Sequence, residues 1–162
     1  MPADAGLRLL LRSQRLAADE DGHAVWQCRS EQRLISGERL ALILCDVWDH
    51  HWCRGAEERL APMLPRMNAI VRAVRARGAT IIHAPSDTMS FYEHHPARQR
   101  ALTITLGDLP SERAHDDPPL PIDDSDHGCD TAEGQPQRVW TRRHAAIAID
   151  RQRDYITDDG RC

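Results

Sequence analysis

Between Arg39 and Ala84 two short apolar runs flank one amphipathic stretch, and this pattern constrains the fold more than any other feature of the chain. Leu40-Ala41-Leu42-Ile43-Leu44-Cys45 has the length and continuity of a strand buried on both faces, as in parallel sheets. Leu60, Met63, Leu64, Met67, Ile70, Val71 and Val74 then recur at spacings of three and four and form one apolar stripe of a helix, with Pro62 and Pro65 in its first turn. Arg72, Arg75 and Arg77 ahead of Gly78 supply the charge and the cap of a helix C-terminus. Thr80-Ile81-Ile82-His83-Ala84 is a second short strand. Strand, helix and strand in this order make a βαβ unit, and with it a parallel pair.

The flanks read differently. Leu7–Gln14 and Ala24–Cys28 around Asp19-Glu20-Asp21-Gly22 fit a β-hairpin, with a short helix over 7–16 as the alternative, and 30–37 reads as a polar link. Residues 1–36 are therefore expected to be an N-terminal β-hairpin extension, and residues 37–162 the domain proper. Beyond Pro85, Phe91-Tyr92 and the stretch 98–106 suggest a short helix. Residues 109–137 are rich in Pro, Asp and Gly and read as a long loop, and 138–142 as a third short strand.

Composition removes several classes of function. All 21 basic residues are arginine, so Schiff-base and P-loop chemistry, which need a lysine, are excluded. The net charge is −4 and the arginines alternate with acids, leaving no basic stripe for nucleic acid. No apolar run approaches the ~20 residues of a membrane span. Five cysteines match neither CxxC nor zinc-ribbon spacing, which predicts free thiols in a reducing, cytoplasmic compartment. Cys28 and Cys45, inside apolar runs, read as small buried hydrophobes. Cys162, the last residue given, is assigned no role.

Asp46 ends the first apolar run, where ligands bind in open parallel sheets. It is either a general base, half shielded by Trp48 and Trp52, or a residue that caps a helix or closes a turn. Asp49, His50, His51 and Cys53 are all metal-ligand types, although side chains of adjacent histidines diverge. His83, Asp87, His94 and His95 form a second such set without recognised spacing. A calcium loop starting at Asp123 is ruled out, because its twelfth position is Gly134 where a bidentate Glu is needed. Cys53 with His50 or His51, and Cys129 beside His127 and Gly128, are further candidates for a thiol nucleophile.

Leu42-Ile43-Leu44-Cys45-Asp46-Val47-Trp48-Asp49, the helix up to Gly78 and Thr80-Ile81-Ile82-His83-Ala84 together resemble the opening of the isochorismatase-like superfamily. That superfamily holds nicotinamidases, N-carbamoyl amidases and related cysteine hydrolases. Cys45-Asp46-Val47-Trp48-Asp49-His50-His51-Trp52-Cys53, His83-Ala84-Pro85-Ser86-Asp87-Thr88-Met89 and Pro119-Leu120-Pro121-Ile122-Asp123-Asp124-Ser125-Asp126 look like a distinct subgroup of it. The resemblance covers roughly residues 37–160.

The resemblance implies a three-layer α/β, Rossmann-like fold around a parallel sheet and a catalytic triad of Asp, Lys and Cys. The Asp carries over onto Asp46 as general base, and the Lys position is Arg142, which keeps the positive charge in a larger fork. The implied substrate is a small-molecule amide or enol ether; Trp48, Trp52 and the arginines suggest that it is flat or anionic. Two departures matter. Asp87 is followed two positions on by Met89 instead of a metal-binding His, so no metal or other cofactor is expected. The family's nucleophilic Cys, after a later helix and strand, has no counterpart in these residues.

The expectation is therefore the first half of the fold, a truncated hydrolase that is inactive as written. The alternative is a non-catalytic binding or assembly module. Its first strand would present an open apolar edge, a template for pairing into a homo-oligomer.

Overall fold

The computed structural model describes residues 6–105, 107, 129, 131 and 139–158. Within them the chain is mixed α/β, with a two-stranded antiparallel sheet followed by a three-stranded parallel one. The antiparallel sheet is the expected hairpin: β1 (Gly6–Ala18) pairs with β2 (Ala24–Ser36) from Gly6↔Ser36 to Ala18↔Ala24. Its turn is held by Asp19, whose carboxylate accepts the amides of Asp21 at 3.0 Å and His23 at 2.8 Å, with Gly22 at φ 83° completing the reversal. The stretch 30–36, read from sequence as a polar link, is strand. A ribbon wet on both faces needs no hydrophobic alternation, because its partner strand supplies the ladder. Only its base meets the domain, where Leu7 packs on the core; Leu10, Leu16, Trp26 and Leu34 are exposed.

In the parallel sheet, β3 (Ala41–Cys45) pairs with β4 (Thr80–Ala84) along its whole length, and β4 pairs with β5 (Tyr155–Ile156). The order β3-β4-β5 leaves the outer edge of β3 open among the described residues. The helix α1 (Arg54–Ala76) covers one face, and Leu64, Val71 and Val74 join Leu44, Ile81, Val47 and Ile147 in the main core. The first apolar run is thus buried on one face only. Leu42 and Leu44 turn inward while Ala41, Ile43 and Cys45 are exposed, because among the described residues nothing covers the other face of β3. Cys45 is therefore exposed rather than buried, and so is Cys28 on the hairpin.

The third strand is also not where the sequence suggested. Residues 139–142 are drawn to the end of β3, where the Asp49 carboxylate takes the Thr141 and Arg142 amides at 2.9 and 3.2 Å. There the segment contributes a single antiparallel bridge, Trp48↔Arg143, and β5 takes the place beside β4.

α1 begins at Arg54, earlier than its apolar stripe, because the Glu57 carboxylate reaches back to the His51 amide at 2.7 Å and fixes the entry. Pro62 and Pro65 accordingly lie inside the helix, both on its exposed side, and Met63 and Ile70 form the wet rim of the stripe. The helix ends as the sequence predicts. Gly78 (φ 87°) donates to the Arg75 carbonyl at 3.0 Å and Ala79 to that of Val74 at 3.2 Å, a Schellman closure. A short helix, α2 (Pro96–Leu102), is capped by His95 and packs with Tyr92 against Ile156.

Beneath β4 lies a buried ion cluster. Arg75 Nε donates to Asp154 Oδ1 at 2.9 Å, and His83 Nε2 meets Asp154 Oδ2 at 3.1 Å. Among the described residues no helix is long and apolar enough to cross a membrane. The acidic run at 123–126, most of the long loop and Cys162 lie outside the described residues.

Candidate functional site

Asp46 is the first residue after β3, at the carboxyl end of the parallel sheet. Its amide donates to the Ala84 carbonyl at 2.9 Å, and its Oδ1 accepts the Ser86 amide at 3.2 Å. Among the described residues Oδ2 has no partner, so one oxygen is left for a ligand. Asp46 has φ 51°, and the other described non-glycine residue at positive φ is Asp87 at 61°, just past β4. Aspartate tolerates this region better than most residues. Both parallel strands of the βαβ unit thus deliver a carboxylate-bearing turn at the end where such sheets bind ligands.

Beside Asp46 opens a cavity of about 380 Å³, walled by Trp48, Leu60, Leu64, Asp49, Glu57 and His144, with His50 and His51 at its side. That volume suits a small organic molecule. The Trp48 indole donates to the Ser86 carbonyl at 3.0 Å and stacks on Trp140 with ring centroids 4.2 Å apart. His51 lies 5.5 Å from Trp140, and Trp52 lies 5.4 Å from His51. Trp52 therefore extends the aromatic stack without lining the cavity. Burial pushes the Asp49 carboxyl up, but hydrogen bonds from the Thr141 hydroxyl and from the Thr141 and Arg142 amides outweigh it and hold the group below its ordinary value.

Arg142, placed by the resemblance at the family's Lys position, is engaged away from Asp46. Its Nε lies 3.7 Å from the Asp49 carboxylate and its guanidinium sits over the Phe91 ring at 5.5 Å. Among the described residues the cavity wall carries three carboxylates, Asp46, Asp49 and Glu57, and no arginine, which favours a ligand that donates hydrogen bonds over an anion.

The alternative sets do not converge. Among the described residues no group of three or more His, Cys, Asp or Glu side chains is arranged to hold a metal ion. Asp49 is taken by Thr141, and His51 Nδ1 accepts the Cys53 amide at 3.0 Å. His83 is engaged in the buried cluster, with its Nε2 on Asp154. Burial pushes the His83 imidazole down, against the opposing pull of Asp154. Cys53 is buried at the N-cap of α1, with its sulfur 2.7 Å from that of Cys129.

Trp140, Glu57 and His144 belong to the site but were not singled out in the sequence. Glu57 carried a legible signal, an acid in the first turn of a helix behind two histidines. Trp140 carried none, since its run reads equally well as a strand. Compared with protein-family models, curated proteins and solved structures, the chain matches none.

Proposed function

We propose that the cavity at the carboxyl end of β3 binds a flat, neutral small-molecule amide, and that Asp46 is its acceptor and the general base of an isochorismatase-like hydrolase site. The reading rests on one observation: a carboxylate held by a single backbone amide, with its second oxygen unused, at the mouth of an aromatic-walled cavity. An amide NH₂ group can donate to Asp46, and a planar ring fits along Trp48. The enol ether alternative is disfavoured where such a substrate is anionic, because Asp49 and Glu57 repel it. The βαβ unit of β3, α1 and β4 is read as the opening half of the family's three-layer fold. Arg142 is a positioning residue, since it holds Asp49 and the segment that carries Trp140.

The reading is tested at the binding step, which calls on Asp46 and the cavity alone. Titrating the chain with benzamide, followed by tryptophan fluorescence, tests this. Saturable quenching is expected, with Asp46→Asn weakening affinity about tenfold, the worth of one hydrogen bond to a charged group. Benzoate, of the same shape but anionic, is expected to bind more weakly. Equal affinity of wild type and Asp46→Asn, or tighter binding of benzoate, contradicts the reading.

A second reading is supported by the open edge of β3, where Ile43 is 41% exposed. A second copy of the chain pairing edge to edge would cover it. Concentration-dependent dimerisation in sedimentation equilibrium, lost in Ile43→Lys, is the expected behaviour; a monomer at all concentrations excludes this reading.

A further inference from the structure

We infer that Cys53 and Cys129 form a redox-active dithiol that closes to an intramolecular disulfide when the protein meets a peroxide. Their sulfurs are 2.7 Å apart, across 76 positions of sequence, well inside the van der Waals contact of two sulfur atoms. A disulfide bond measures about 2.05 Å, so the sulfurs need to approach by only about 0.7 Å. Cys53 is held rigidly as the N-cap of α1, 2% exposed, with its amide on His51 Nδ1. Cys129 is partly exposed. Thr131 completes the site: its carbonyl accepts the Cys129 thiol at 3.3 Å, and its Oγ1 lies 3.4 Å from the Cys129 sulfur and 3.9 Å from that of Cys53. Among the described residues no third ligand-type side chain joins the pair to make a metal site.

Exposure sets the order of events. Peroxide reaches Cys129 first: its thiolate attacks one oxygen, an S–O bond forms, the O–O bond breaks, and water leaves after taking up a proton. The Cys53 thiolate then attacks the sulfenic sulfur of Cys129. The S–S bond forms, the S–O bond breaks, and hydroxide leaves and is protonated to a second water. In sum two thiols are oxidised by two electrons and one hydrogen peroxide is reduced to two waters. The bond ties position 129 to the first turn of α1, beside the cavity wall that Glu57 and Leu60 provide.

The test is peroxide treatment of the full chain, followed by alkylation of remaining thiols and mass mapping without reduction. Proteolysis before aspartate separates Cys45 from Cys53, because Asp46 and Asp49 lie between them. The expected result is a cross-linked pair of peptides carrying Cys53 and Cys129, the loss of two hydrogens in the intact mass, and reversal by dithiothreitol. Cys53→Ser should leave Cys129 as a sulfenic acid that dimedone traps, whereas Cys129→Ser should leave Cys53 unmodified. Cross-links from Cys129 to Cys28, Cys45 or Cys162 instead, or wild-type Cys129 accumulating as sulfenic or sulfinic acid without a cross-link, overturn the proposal. The wild-type mapping decides the matter even where a variant fails to fold.

Discussion

Trp48 and Trp140 stack with centroids 4.2 Å apart and planes 9° from parallel, and so fasten the segment after residue 138 to the end of β3. The His144 amide on the Val47 carbonyl at 2.7 Å and the Asp49 amide on the Arg142 carbonyl at 2.9 Å close the same junction. In a double-mutant cycle of Trp48→Ala and Trp140→Ala, urea unfolding should give a coupling energy of about 0.5–1.5 kcal/mol, the worth of an aromatic pair beyond its area. Additive losses would mean that the rings do not meet in solution.

The cluster of Arg75, Asp154 and His83 joins α1 to β4 and to the turn before β5. Asp154→Asn removes the anion but leaves the Arg75 guanidinium buried without its partner. A loss of about 3–5 kcal/mol in urea unfolding is expected, the usual cost of breaking a buried pair from one side. A loss below about 1 kcal/mol would show that the cluster is solvated.

Acid should unfold the protein in two windows. Burial raises the Asp154 carboxyl, but the hydrogen bonds from His83 and Arg75 outweigh it and bring it from 3.8 to about 2. The unfolded chain thus binds this proton more readily, and the stability Asp154 contributes is full above pH 3.8 and lost as pH falls toward 2, about 2 kcal/mol in all. His83 is also depressed from 6.5, by burial first, so its contribution is full above 6.5 and declines as pH falls below it. Melting temperature against pH should show both declines in the wild type, and His83→Gln should reduce the upper one, to which His95, also depressed by burial, contributes the rest.

Gly37 lies against the end of α1: a Cβ there would come 1.8 Å from the Arg77 carbonyl oxygen. That oxygen is backbone and cannot swing aside. Gly37→Ala should destabilise by about 1–3 kcal/mol, the cost of overpacking. Gly22→Ala, at the open hairpin turn, meets nothing within 4 Å and carries only the strain of φ 83°, about 1–2 kcal/mol, in a ribbon that contributes little to the core. Equal melting temperatures for wild type and Gly37→Ala would contradict the close approach.

The βαβ unit was legible because its information is local: the run ending at Cys45, the stripe from Leu60 to Val74 and the glycine at 78 each specify one element. Asp46 and Trp48 were legible for the same reason, since a polar residue ending a buried run sits at the binding end of a parallel sheet. What escaped the sequence depends on contacts between distant residues. Trp140 joins the site only by stacking on Trp48, and Arg142 goes to Asp49 because that carboxylate captures the Thr141 and Arg142 amides. Cys45 read as buried because a continuous apolar run does not reveal whether one or two layers will cover it. Arg75 read as a helix-terminal charge, and its burial follows from Asp154, which nothing near Arg75 in sequence announces.

The central claim, a ligand cavity governed by Asp46, is tested most directly by backbone amide chemical shifts of the labelled chain during a benzamide titration. Saturable shifts should concentrate at Asp46, Trp48, Glu57, Leu64 and His144, and be greatly weakened in Asp46→Asn. Shifts that do not saturate, or that concentrate on the β1–β2 ribbon while the residues around Asp46 stay still, would contradict it.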